Sequence, residues 1–107
     1  ALQAYAYDKV ESGVDVPNAA TVIGVALNAN KDATVSLNDK NDAKKGDVYS
    51  VTLEQLRDNG YVAVGTFSGT VASDGATSVT IYLRGVIGAG TYKVTAGSYT
   101  SIMSFAN

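Results

Sequence analysis

The sequence of 107 residues contains no histidine and no cysteine. Their absence excludes nucleophiles activated by histidine, thiolate redox chemistry, and the usual protein ligands of zinc and haem. Carboxylates, lysines and tyrosines remain for catalysis. The acidic residues are mostly aspartates beside Asn, Lys or Gly, a setting typical of solvated turns: Asp32, Asp39, Asp42, Asp47, Asp58 and Asp74. The sequence therefore predicts a protein that is not an enzyme and has no catalytic, cofactor-binding or metal-binding residues.

The sequence also lacks a surplus of positive charge and a long apolar run. The formal net charge is −2, which argues against a nucleic-acid partner or an anionic membrane surface, because both require a basic face. The longest apolar run, Val22 to Leu27, is far shorter than the ~18 residues of a membrane-spanning helix. We therefore expect neither nucleic-acid binding nor a direct membrane span.

Length and hydrophobic content bound the class of protein. Hydrophobic residues make up 46% of the chain, which is typical of a folded domain rather than a disordered tail. At this length we expect a single domain, residues 1–107, that buries ~60 to 70% of the surface of the extended chain. The chain begins at Ala1 rather than at Met, so we expect an N-terminal signal or a tag to have been removed.

The stretch from Val48 to Val64 contains the clearest helix signals. Thr52 and Gln55 have the spacing of a capping box, in which the hydroxyl accepts a backbone N–H and the amide side chain reaches back. Gly60 provides the stop, because glycine adopts the left-handed conformation at a helix end without strain. These signals predict one helix of about two turns, from Leu53 to Asn59, which needs packing against a sheet to be stable.

The residues before this stretch predict short elements. Ala1 to Ser12 combines the alternation of an edge strand with helix-forming residues, so both structures stay open there. Thr21 to Asn28 is rich in β-branched residues and predicts a mostly buried strand, with a helix as the alternative. Ala33 to Leu37 alternates over a short distance and predicts a strand with Val35 and Leu37 facing inward.

Asn38 to Asp47 is the most polar decapeptide of the chain. Its three aspartates and two asparagines suggest clustered oxygen ligands for calcium. The spacing does not match an EF-hand loop, and Lys40, Lys44 and Lys45 place positive charge among the oxygens. We therefore predict a solvated surface loop without a metal site.

From Tyr61 onward the sequence alternates in the manner of strands. The predicted strands are Tyr61–Phe67, the short Val71–Ala72, Ser78–Arg84, Thr91–Ala96 and Tyr99–Phe105. Asp74-Gly75 is a strong signal for a two-residue hairpin, and Gly85 to Gly90 predicts a loop. The predicted fold class is therefore mainly β, or α+β by strict count. Because sequential strands usually pair as neighbours, we expect an antiparallel meander of about four strands with one short helix.

The apolar face of such a sheet needs a covering layer of comparable extent, and the predicted helix is too small to provide it. The cover comes either from the N-terminal third of the same chain or from another chain. If another chain covers the sheet, we predict the partner interface at the surplus apolar positions: Val22, Ile23, Val25, Leu27, Val79, Ile81 and Leu83.

The segment T-L-E-Q-L-R-D-N-G-Y-V-A-V, Thr52 to Val64, resembles the element L-x-x-L-x-x-x-G-Y that precedes the C-terminal sheet of many type IV pilins. In register, the resemblance covers about Tyr49 to Phe105. Because this sequence contains no long apolar helix, it resembles the separately encoded C-terminal globular subunit of the split type IV pilins of metal-reducing bacteria. It also lacks the C-terminal disulfide of many pilins.

The resemblance implies a pilin-like globular head that lacks the long N-terminal helix. It further implies a structural subunit that pairs non-covalently with a small helical pilin subunit and with further copies in a filament. Such a subunit would pass through the periplasm to the cell surface as part of a pilus. Filaments of this family have been linked to cytochrome secretion and to extracellular electron transfer.

A second hypothesis, from another class, is a secreted β-rich adhesion or carbohydrate-binding module. Tyrosine and asparagine side chains on an exposed strand face or loop would then contact the sugar. The absence of tryptophan weakens this hypothesis, because stacking surfaces for sugars are typically aromatic.

Overall fold

The computed structural model describes residues 20–38 and 42–106, so the predicted element at Ala1–Ser12 lies outside the described residues. The described residues form seven strands: β1 (Val22–Leu27), β2 (Asp32–Leu37), β3 (Val48–Arg57), β4 (Gly60–Thr70), β5 (Ser78–Tyr82), β6 (Gly90–Ala96) and β7 (Tyr99–Phe105). They make a three-stranded sheet in the order β1-β2-β5 and a four-stranded sheet in the order β4-β3-β6-β7, with every pair antiparallel. The predicted mainly β class is confirmed.

Most of the predicted strands are also confirmed. Six of the observed strands coincide with predicted ones: β1, β2, β4, β5, β6 and β7. The inward face predicted for β2 is correct, because Val35 and Leu37 are buried. The alternating residues on and just after β5, Val79, Ile81 and Leu83, are buried as well, as a period of two predicts for residues that share one face.

The helix predicted from Leu53 to Asn59 is wrong. The described residues contain no helix, and hence none that could span a membrane. Val51 and Leu53 on β3 are buried, whereas Thr52 between them is exposed. Because β3 pairs with β4 on one side and β6 on the other, long-range pairing outweighs the local capping signals. Gly60, with a φ of +124°, follows a tight turn between two strands instead of ending a helix.

The predicted four-stranded meander is wrong as well, because the chain moves between two sheets. The connection after β4 crosses from the four-stranded to the three-stranded sheet, so the Asp74-Gly75 turn does not join neighbouring strands. The predicted strand Val71–Ala72 is a connecting segment. Val71 is buried there, its N–H donates to the carbonyl of Asp47, and its own carbonyl accepts from Gly46.

The two sheets face each other and bury the core between them. Their inward side chains are almost inaccessible to solvent, with Val35, Val79 and Ile81 from one sheet and Val51, Leu53 and Val94 from the other. Full burial of one such side chain stabilises the fold by about 1.5–3 kcal/mol relative to exposure. Each sheet therefore keeps one apolar face inward and a more polar face outward.

The strand order is that of a Greek-key sandwich. In the constant-type immunoglobulin arrangement the first, second and fifth strands share one sheet, and the third, sixth and seventh share the other. This chain follows the same division, except that β4 lies beside β3 rather than beside β5. At the start of β6 the phenol oxygen of Tyr92 accepts a hydrogen bond from the N–H of Gly88 at 3.1 Å, which corresponds to the tyrosine corner of such sandwiches. The described chain thus has an immunoglobulin-like topology.

The β3–β4 hairpin is longer than the sheet that packs against it. β3 has 10 residues and β4 has 11, whereas β1 and β2 have 6 each and β5 has 5. The far part of this hairpin, residues 56–64, is therefore mostly exposed, and we call it the hairpin end. A register shift beside Leu53 leaves Val64 without a partner on β3, so Val64 forms a β-bulge in the edge strand.

Candidate interaction surfaces

The chain's own second sheet covers most of the predicted partner interface. Of the seven predicted residues, two are half-buried against the core, Val22 and Val25, and one, Ile23, is 50% exposed. The other four lie in the core: Leu27, Val79, Ile81 and Leu83. This interface was predicted because local cover was missing. The four-stranded sheet supplies that cover, so the sequence pattern is explained without a second chain.

β4 forms one edge of the four-stranded sheet, and in the part of the chain that the structure describes it pairs with β3 alone. None of its 11 residues is charged, and none is proline. An edge strand is a template for pairing with another strand, and natural proteins usually block it with charges, prolines or bulges. Of these devices β4 carries only the bulge at Val64.

The bulge divides the β4 edge into two parts with different surroundings. The second part lies close to β5, because a methyl group built on Gly69 would come within 2.6 Å of the carbonyl oxygen of Thr80. The first part, Gly60–Ala63, belongs to the hairpin end, where Val62 is 46% exposed. The first part is thus the portion of β4 at which another strand could pair.

The outer face of the four-stranded sheet is polar at its centre. One row of four threonines crosses all four strands in register: Thr66, Thr52, Thr95 and Thr100. Threonine is β-branched and therefore favours the strand conformation, and on an outer face its hydroxyl can contact solvent. The row offers no apolar stripe on which a long hydrophobic helix could lie.

A partly exposed ionic contact lies beside this row. The Nζ atom of Lys93 is 3.6 Å from Oε1 of Glu54 and 4.3 Å from the centre of the Tyr61 ring. Exposed ion pairs contribute about 0–1 kcal/mol, and exposed cation–π contacts about 0.5–1 kcal/mol. The cluster therefore orders the base of the hairpin end without adding much stability.

A groove of about 390 Å³ lies between β4 and β5. Five hydroxyl-bearing side chains line it, from Ser68, Thr70, Ser78, Thr80 and Tyr82, and no charged side chain is among its described lining residues. The ring of Tyr82 is 70% exposed. The sequence did not predict this groove, because its walls come from strands of different sheets and no local pattern links them.

Two aspartates, Asp47 within the predicted polar loop and Asp74 outside it, accept hydrogen bonds from the loop's backbone. The carboxylate of Asp47 accepts the N–H of Lys44 at 3.1 Å, and that of Asp74 accepts the N–H of Lys45 at 2.8 Å. Across residues 20–38 and 42–106, no group of three or more acidic, histidine or cysteine side chains is placed to hold a metal ion. These carboxylates hold the loop backbone in place, while residues 39–41 of the loop lie outside the described ranges.

Tyr49 links the start of the described chain to β3. Its hydroxyl donates a hydrogen bond to the carbonyl of Ala20 at 2.6 Å. Burial raises the pKa of Tyr49 above its ordinary value of 10.0, and the negative charges of Asp47 and Asp42 raise it further. The phenol is therefore protonated at neutral pH and keeps this hydrogen bond.

Comparisons of the chain with models of known protein families, with characterised proteins and with solved structures found no match. Its function is therefore inferred from the surfaces themselves.

Proposed function

We propose that this chain is a non-enzymatic structural module that associates with further copies of itself, as a subunit of a filament or another assembly at the cell surface. The observation that carries the proposal is the uncharged first part of β4, Gly60–Ala63, at the hairpin end, where Val62 and Ala63 are exposed and the other two residues are half-buried. Two copies related by a two-fold axis would pair these segments antiparallel, and their two four-stranded sheets would become one continuous sheet.

This pairing is short, so each contact is expected to be weak. Each backbone hydrogen bond contributes a net ~0.5–1.5 kcal/mol, against an association cost of roughly 4–15 kcal/mol. The exposed apolar side chains of Leu56, Val62 and Val64 add burial at about 25 cal/mol per Å². A weak contact of this kind suits an assembly in which several neighbours hold each subunit.

A two-fold contact closes after two copies. It would therefore build the repeating unit, and a filament would need a second contact elsewhere on the surface. The exposed Ile23 on the edge strand β1 is the position at which we place that second contact.

The test is the association state in sedimentation velocity over a series of concentrations. Wild-type protein is expected to associate reversibly, and Val62→Lys to stay monomeric, because a lysine on the edge strand opposes pairing. Ile102→Lys is the matched control, since Ile102 is 56% exposed on β7 and should leave the dimer intact. A wild-type protein that stays monomeric up to about 1 mM, or a Val62→Lys variant that associates like wild type, would contradict the proposal.

The resemblance to split pilins supports a second form of the same proposal. In it, a small helical pilin is the partner, and the pair passes through the periplasm to the cell surface. The exposed apolar side chains of the hairpin end, Leu56, Val62 and Val64, favour a helix docked there, since most of the interface predicted from the sequence is inside the core. Co-expression with such a pilin should give a complex that Leu56→Lys weakens and Ile23→Lys does not. Purification of the two chains as separate species would rule this form out.

A further inference from the structure

The groove between β4 and β5 has the chemistry of a site for a neutral, hydroxyl-rich ligand. Serine and threonine hydroxyls can each donate and accept hydrogen bonds, and they line both walls at Ser68, Thr70, Ser78 and Thr80. A charged ligand would find no counter-charge among the described lining residues. The volume of about 390 Å³ falls within the ~300–1,000 Å³ that is usual for small-ligand sites.

Tyr82 supplies the apolar surface that such a ligand also needs. Its side chain is 70% exposed at the last residue of β5, where it pairs with Asp32 on β2. The tyrosine ring offers apolar area that a ligand can cover, and its phenol oxygen can form hydrogen bonds with the same ligand. A sugar ring has both parts, because its C–H face is apolar and its rim carries hydroxyls.

An extended peptide fits the same groove less well. A strand added to the outer edge of β5 would have to occupy the space between β5 and β4. That space is closed at Gly69, where an added methyl group would come within 2.6 Å of the carbonyl oxygen of Thr80 and 3.1 Å of a methyl carbon of Val79. The two strands are thus too close for a third strand to enter between them. A shallow ligand that lies along the surface where β4 and β5 meet is therefore the better fit.

We infer that this groove binds a neutral saccharide, with the ring of Tyr82 as the stacking surface and the hydroxyls of Ser68, Ser78 and Thr80 as hydrogen-bonding partners. The inference goes beyond the proposed self-association, which uses the hairpin end at the opposite end of β4. A module with both surfaces would assemble with copies of itself and adhere to a glycan.

The test is a titration of ¹⁵N-labelled protein with neutral oligosaccharides of glucose, mannose and N-acetylglucosamine, and with acidic oligogalacturonate as the charged comparison. With at least one neutral oligosaccharide, amide shifts are expected at Gly69, Ser78 and Thr80. Affinity in the millimolar range is about −4 kcal/mol, which suits one stacked ring. Oligogalacturonate is expected to shift none of these amides.

The matched variants are Tyr82→Ala and Tyr99→Ala, because Tyr99 is also an exposed tyrosine but lies on β7, away from the groove. Tyr82→Ala should weaken binding by at least about tenfold, which corresponds to ~1.4 kcal/mol, and Tyr99→Ala should leave it unchanged. Circular dichroism melts of both variants confirm that each is folded.

Four results would overturn the inference: no groove shift with any of the neutral oligosaccharides, equal binding of oligogalacturonate, unchanged binding by Tyr82→Ala, or groove shifts only with an uncharged extended peptide added as a probe. The Val62→Lys variant separates this inference from the proposed function. If it is monomeric and still binds sugar, both hold. If wild type is monomeric and binds sugar, only the self-association fails.

Discussion

The phenol oxygen of Tyr92 accepts a hydrogen bond from the backbone N–H of Gly88, four residues earlier, at 3.1 Å. Tyr92 is itself buried in the core and packs edge-on against Phe105, with ring centres 6.1 Å apart. One side chain thus connects the loop that crosses between the sheets to the first residues of β6 and to β7.

Tyr92→Phe should destabilise the protein by about 1–3 kcal/mol, because it keeps the ring but leaves the N–H of Gly88 without its acceptor. Urea denaturation measures the change. Tyr99→Phe is the control, since its ring is partly exposed, and it should fall within about 0.5 kcal/mol of wild type. Equal stability of wild type and Tyr92→Phe would show that the hydrogen bond contributes nothing.

Leu53 and Leu56 distinguish the strand from the predicted helix. In the predicted helix both leucines pack against the sheet, whereas in β3 Leu53 is fully buried and Leu56 is 45% exposed. Leu53→Ala should therefore cost about 2–5 kcal/mol of unfolding free energy, and Leu56→Ala less than about 1 kcal/mol. Similar losses for the two variants, measured by chemical denaturation, would contradict the structure of β3.

Gly69 sets the distance between β4 and β5. A methyl group there would come within 2.6 Å of the carbonyl oxygen of Thr80, so Gly69→Ala forces the two strands apart and should cost about 1–3 kcal/mol, as other overpacked sites do. Gly85→Ala is the control, because nothing lies within 4 Å of an added methyl group there. Thermal melts should separate the two variants by several degrees. If Gly69→Ala has the same melting temperature as Gly85→Ala, β4 and β5 are not as close as described.

Tyr49 should make stability depend on pH above its ordinary pKa of 10.0. Burial first, then Asp47 and Asp42, raise the pKa of Tyr49 in the folded state. The unfolded chain therefore loses its proton at a lower pH than the folded chain. The stabilisation of the fold by protonated Tyr49 is complete below pH 10 and is lost as the pH rises through the raised pKa.

The measurement is the urea midpoint of wild type and Tyr49→Phe between pH 8 and pH 11. Wild type should lose stability more steeply above pH 10 than Tyr49→Phe, although the variant starts lower because it lacks the hydrogen bond to Ala20. Tyr61→Phe, at the hairpin end, controls for the loss of one tyrosine. Parallel curves for wild type and Tyr49→Phe would contradict the raised pKa.

The sequence predicted the strands well wherever their residues alternate. On β5, Val79 and Ile81 alternate with exposed Thr80 and Tyr82, and a period of two is a local property that needs no knowledge of the partner strand. The helix at β3 was mispredicted because Thr52 and Gln55 match a local capping signal. What decides their structure is pairing with β4 and β6, residues that are distant in sequence.

The pairing of strands into two sheets could not be predicted from these local patterns. The surplus of apolar residues leaves two possible covers, the N-terminal third of the same chain or another chain. In the structure β1 and β2, which belong to that third, form with β5 the sheet that packs on the four-stranded sheet. For the candidate surfaces, one signal was present in the sequence: the segment from Gly60 to Thr70 has no charge and no proline, as an unprotected edge strand would. The groove beside Tyr82 had no such signal, because it exists only where β4 and β5 meet.

The most direct test of the proposed assembly is disulfide cross-linking, which is clean here because the chain contains no cysteine. Tyr61→Cys, Val62→Cys and Ala63→Cys each introduce a single thiol on the first part of β4, and Ile102→Cys introduces one on β7. In an antiparallel two-fold pair, opposite residues lie with their Cα atoms ~4.5–5.5 Å apart, which is within reach of a disulfide. We predict that at least one of the three β4 variants forms a covalent dimer under mild oxidation and that Ile102→Cys stays monomeric. If none of the three cross-links faster than Ile102→Cys, β4 does not pair between copies.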